Sequence, residues 1–176
     1  MDDAGWACCC YLLLENRSAA EVAALLGGRL SEVELGEGEA DQVTASWPAA
    51  GPAAPGWTVV VDPHFEFGDA APAWSAGTRA VRLMVIEREG FSQATAWADG
   101  EIRWDISYEE EIDQVPCVSG TLPYDVAALG VDGWYRAPIN AVRAATTWQP
   151  RPTDHLRLAE LLDPRQAVLG PPGHDV

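Results

Sequence analysis

Cys8, Cys9 and Cys10 stand side by side, and three thiols in a row invite a metal or redox reading. A zinc site spaces its ligands, typically C-x₂₋₄-C, so that the side chains converge on one ion. Neighbouring side chains on a strand point to opposite faces, so Cys8 and Cys10 share one face and Cys9 takes the other. The fourth cysteine, Cys117, is far along the chain with no His beside it, and no CxxC pair occurs. Free Cys packs as a small hydrophobe. The run is therefore expected to be core strand, with no metal and no cofactor. In "DPH", Asp62 and His64 lie two apart and Glu66 follows, but Pro63 interrupts the strand that would align them. A surface loop is the expectation there. His155 falls in a predicted first helical turn and His174 in the tail. No G-x-S-x-G elbow, Ser/His/Asp or Cys/His arrangement, Walker A loop or dinucleotide fingerprint is present. "LGEGEA" has glycines but no Lys, and its acids would repel phosphate. No catalytic residue is assigned.

Carboxylates are the most numerous reactive groups. Glu109, Glu110, Glu111 and Asp113 fall in "YEEEID", and Glu37 and Glu39 in "LGEGEADQ". Charges at a strand end block edge-to-edge aggregation, and the same charges can form the rim of a protein interface. These six residues are the candidate partner-binding acids. Glu87 and Glu89 share a face after another strand, and a close pair can do acid–base work when burial separates the two pKa values. Of the eight Trp, residues 57, 97, 104, 134 and 148 are expected in or beside core elements. Trp6, Trp47 and Trp74 fall in loop-like contexts.

The whole chain leans the same way. It has 27 acids against 11 bases, a formal net charge of −16, and all the bases are Arg. Such a surface repels nucleic acid and anionic membranes and attracts basic proteins over long range. The 176 residues, 48% of them hydrophobic, can bury a core without disulfide or metal staples. No apolar run reaches membrane-spanning length. "MDDAGW" has no basic residue and does not read as a secretory signal, so a cytoplasmic protein is expected.

The elements that must position these residues follow from pattern. "CCCYLLLE" reads as a buried strand. "SAAEVAALLGG" reads as a helix with Ser18 and Glu21 as a capping box and glycines as its stop. Leu30, Val33 and Leu35 suggest a short strand. "WPAAGPAAPGW" (47–57) is expected to be loop, 56–63 a strand ended by Pro63, and 79–89 a central strand apolar on both faces. Asp99-Gly100 is a two-residue hairpin turn. Pairing outward from it sets Trp97 opposite Ile102, Thr95 opposite Trp104 and Phe91 opposite Tyr108, with these residues on one aromatic face. Helices are expected at "PYDVAAL", at "APINAVRAATTW" from Pro138, and at "TDHLRLAELLD", capped by Thr153. Together these predict an α+β fold: a mostly antiparallel sheet of four to six strands with helices packed on one face. Residues 1–170 would form one domain and 171–176 a flexible tail.

"GWTVVV", "SAGTRAVRLMVIE", "WADGEIRWDISYE" and "APINAVRAATTW", with Trp97, Gly100 and Trp104 spaced W-x-x-G-x-x-x-W, resemble small acidic actinobacterial proteins of the toxin-immunity type. The likeness covers roughly residues 56–150. It implies an inhibitor of a partner toxin and carries no catalytic residue. The expected function is thus a non-enzymatic, acidic protein-binding domain whose partner is basic, an immunity-type inhibitor being its sharpest form. The alternative is a small enzyme or small-molecule-binding protein with its site on the sheet.

Overall fold

The computed structural model describes residues 9–34, 48–128, 131–148 and 157–161. Its strands form one sheet of nine, every described pairing antiparallel. In chain order they are β1 (Cys9–Glu15), β2 (Gly28–Glu34), β3 (Ala49–Ala54), β4 (Trp57–Asp62), β5 (Arg79–Ile86), β6 (Phe91–Ala98), β7 (Glu101–Glu109), β8 (Cys117–Gly120) and β9 (Arg157–Leu161). The helices are α1 (Ala19–Leu25), α2 (Ala71–Trp74) and α3 (Ala137–Thr146). The spatial order is β2-β9-β3-β4-β1-β5-β6-β7-β8. The α+β class with an antiparallel sheet is as expected.

The sheet is larger than four to six strands because extended segments hide in sequences that read otherwise. Residues 49–54, expected to be loop, form β3. Pro52 is tolerated there because, among the described residues, β9 pairs with Ala49 and Ala50 alone, so no described neighbour on that side calls on the N–H that proline lacks. The expected helix at 153–163 contains β9 instead, which pairs with β2 on one side and β3 on the other. Inserting there joins β2 to the sheet, a gain that local helix propensity cannot anticipate. "PYDVAAL" gives only a 3₁₀ turn at Val126–Ala128.

Helices lie on both faces rather than one. On the first face, α3 buries Ile139, Ala141 and Val142 against Val81, Leu83, Val85, Ala94, Ala96, Trp104 and Ile106. On the second face, Val22 of α1 and Ala71 of α2 pack with Leu12, Leu14, Val60, Ala80 and Trp97. The reason is the two-sided apolar character of β1, β4 and β5, which leaves neither face able to stand in water. β1 is the middle strand; Leu12, Leu13 and Leu14 are fully buried. Cys10 is buried too, while Cys8 and the side chain of Cys9 lie outside the described residues.

α1 starts as expected. The Ser18 hydroxyl accepts from the Glu21 N–H at 3.2 Å, and the Glu21 carboxylate accepts from the Ser18 N–H at 2.8 Å. The β6–β7 hairpin turns at Asp99 and Gly100, both with positive φ. Its tip is pinned because the Gly100 N–H donates to the buried Ser75 hydroxyl at 2.9 Å. The register departs from expectation after one pair. Trp97 does face Ile102, but Ala96 faces Trp104, Thr95 faces Asp105 and Ser92 faces Tyr108. Arg103 is the extra residue of a β-bulge, and a one-residue slip moves every later side chain to the other face. Trp104 and Ile106 therefore join the first-face core under α3 rather than sharing a face with Trp97, and Tyr108, on the same face, meets the Trp134 ring at 6.1 Å.

Candidate functional site at the sheet edge

β7 ends in Glu109, and the turn after it is built by Asp113. One Asp113 carboxylate oxygen accepts from the Glu109 N–H at 2.8 Å, while the Asp113 N–H donates back to the Glu109 carbonyl at 2.8 Å. The other oxygen lies 3.7 Å from the Cys117 sulfur. Asp113 is thus a turn-forming residue whose carboxylate is engaged within the chain. Glu110 and Glu111 are exposed. The Glu110 N–H donates to the Gly90 carbonyl at 3.2 Å, tying this turn to the β5–β6 connection, whose 3₁₀ turn carries Glu87 and Glu89. Arg88, the cation of that turn, pairs with Glu89 at 3.2 Å in an exposed setting, which contributes little. Four exposed glutamates thus collect at one end of the sheet. Glu37 and Glu39 lie outside the described residues.

What the sequence reading missed is the apolar surface beside these acids. Ile112 is 71% exposed, Val115 57% and Val118 48%. Three of the five large exposed hydrophobics among the described residues therefore fall within residues 112–118, on the turn and the strand it leads into. The available signal was that Ile112, Val115 and Val118 have neither helical nor strand periodicity and are split by Pro116. β8 is exposed at every residue and, among the described residues, pairs with β7 alone. Val118 lies opposite Ile106 and so on the first face; Cys117 and Ser119 lie opposite Ser107 and Asp105 on the second. At the far end of β8, Gly120 has φ +75° and approaches the β7 bulge closely.

Other chemistry-bearing groups are engaged within the fold. Asp62, 1% exposed, accepts from the backbone N–H of His64 at 3.2 Å and of Phe67 at 2.8 Å, closing the loop after β4. Among the described residues, no three His, Cys, Asp or Glu side chains are placed to hold a metal. A polar ladder crosses the second face: Arg82 donates to Gln93 at 3.2 Å, and Gln93 and Thr95 donate to Asp105 at 3.2 and 2.5 Å. The Arg82 guanidinium also lies 5.5 Å from the Trp97 ring centre. Cys117 is exposed, but the Asp113 charge pushes its thiol above the ordinary value, which disfavours the thiolate. Hydrogen bonds from Arg79 hold Glu15 below the usual carboxylate range. Of the tryptophans expected in core elements, residues 57, 97, 104 and 148 are buried. Trp74 is half-buried against the second-face core and stacks on Phe67 at 6.4 Å.

No helix among the described residues is long and apolar enough to cross a membrane. A scan of protein-family models, a search of curated proteins and a search of solved structures each return no match to this chain.

Proposed function

We propose that this chain is a non-enzymatic protein-binding domain that takes a basic protein partner through the β7–β8 corner, with the immunity-type inhibitor as its sharpest form. The observation that carries the reading is the coincidence of exposed Ile112, Val115 and Val118 with Glu110 and Glu111. Protein interfaces combine an apolar centre that loses its water with a charged rim that sets partner and register. The net charge of −16 adds long-range attraction for a cation-rich surface. Inhibition in this form is occlusion: the corner covers the partner's working surface, and no bond is made or broken. The enzyme or small-molecule reading has less support, because the second-face ladder spends most of its polar groups on one another.

The test is comparative capture from the native host, using the wild-type chain beside Ile112→Asp and the double variant Glu110→Arg, Glu111→Arg. All three positions are exposed, so folding should survive. A protein held by the wild type and released by both variants supports the reading. Its association rate should fall as salt rises. Equal capture by all three chains overturns the site, and an association rate indifferent to salt overturns the electrostatic part.

A further inference from the structure

β8 offers more than side chains. Among the described residues it ends the sheet, and every second residue of an edge strand turns its N–H and C=O outward. Four residues long, it begins just after Pro116, which has no N–H, and ends at Gly120 against the bulge of β7. We infer that the partner reaches this domain with an extended segment that pairs with the outer edge of β8 as a further strand of the sheet. The inference rests on the protein-binding reading and specifies its mode.

The surroundings choose the occupant. A strand added to β8 alternates its side chains between the two faces. On the first face it meets exposed Val118, and on the second the polar row of Cys117, Ser119, Ser107 and Asp105. At the start of β8 it passes the turn that carries Glu110 and Glu111. The fitting segment therefore alternates apolar residues with Arg or Lys. A second copy of this chain fits worse, since it brings the same excess of acid to the contact. The short edge, opened by proline and closed at a bulge, also limits pairing between copies. A charged partner segment has the attraction that a second copy lacks. Main-chain pairing of this kind supplies affinity, while alternate side chains supply specificity.

The experiment uses the full chain and a synthetic peptide of about eight residues alternating Arg and Val, a length that spans a typical strand. A second peptide of identical sequence is N-methylated at every other residue, so that one of its edges cannot donate. Amide hydrogen exchange is followed residue by residue. The expected result is exchange slowed about tenfold or more at alternate residues among Cys117, Val118 and Ser119. Affinity should fall about tenfold or more with the methylated peptide, since each lost net hydrogen bond is worth close to that factor. Three results overturn the inference: unchanged β8 exchange with the peptide bound, equal affinity for both peptides, or no binding at saturating peptide. Self-association of the chain through β8, seen by sedimentation and by protection without peptide, also overturns it. These outcomes are separable from failure of the protein-binding reading, which shows instead as capture of the host partner that ignores Ile112, Glu110 and Glu111.

Discussion

Gly120→Ala tests whether β8 is held as the structure describes. A Cβ at residue 120 would lie 2.2 Å from the Arg103 carbonyl oxygen and 2.9 Å from the Trp104 Cα, both backbone atoms that no rotamer change can move. Residue 120 also has φ +75°, a conformation costing a non-glycine residue about 1–2 kcal/mol. Gly77→Ala is the matched control. Its φ is +70°, and an added Cβ meets nothing within 4 Å, so it should lose only that conformational cost. In Gly120→Ala, relieving the clash requires β8 to move away from β7 by about 1 Å, which stretches ladder hydrogen bonds beyond useful length. At about 0.5–1.5 kcal/mol for each of two or so bonds, the added loss is about 1–3 kcal/mol. It is capped by what an exposed edge strand contributes, because the strand can simply detach. Urea denaturation gives the global figure, and amide exchange locates it. The alternate amides of Cys117–Gly120 that face β7 should exchange near free rates in Gly120→Ala and keep their protection in Gly77→Ala, with β1, β4 and β5 unchanged in both. If Gly120→Ala loses no more than Gly77→Ala and β8 stays protected, the bulge-and-glycine account of this edge is wrong.

Three further outcomes follow. Asp62→Ala should cost about 1–3 kcal/mol in urea titrations, since it strips a buried acceptor from the N–H groups of His64 and Phe67; unchanged stability would show that the loop does not depend on it. Burial pushes the Tyr124 phenol up to about 12, and its hydroxyl donates to the Ala137 carbonyl at 2.6 Å. With a folded pKa above the ordinary value of about 10, its contribution is fully present below pH 10 and is lost as pH rises toward 12. Alkaline difference absorbance should resolve one late-titrating tyrosine that Tyr124→Phe removes. Asp113→Asn should speed alkylation of Cys117 by iodoacetamide at pH 8, because it removes the charge that disfavours the thiolate; an unchanged rate would mean Asp113 does not govern that thiol.

Much of the scaffold was legible in the chain because its signals are local. The capping box of Ser18 and Glu21, the Asp99-Gly100 turn and the Pro-opened α3 each depend on residues within a few positions of one another. The candidate acids at 109–111 were legible as charge, and the structure places them at a sheet end. The role of Asp113 was not legible, because a carboxylate that closes its own turn looks in sequence like any other acid. The exposure of Ile112, Val115 and Val118 was hidden for a related reason: an apolar side chain is buried or bare according to what packs on it, and here the chain supplies no cover among the described residues.

By itself the sequence determined that this is a folded, strongly acidic α+β chain in which Cys9 and Cys10 belong to a strand, since charge, apolar content and strand alternation are properties of neighbours. Only the tertiary structure decided the rest. It turned a proline-rich loop and a leucine-patterned helix into β3 and β9, because an open sheet gains hydrogen bonds from any segment that can lie along it. It slipped the hairpin by one residue at Arg103, because the first-face core under α3 takes Trp104 and Ile106. With β8 at the edge of the described sheet, three of the exposed apolar residues, Ile112, Val115 and Val118, are left beside Glu110 and Glu111. That placement is a matter of sheet order, which no local pattern encodes.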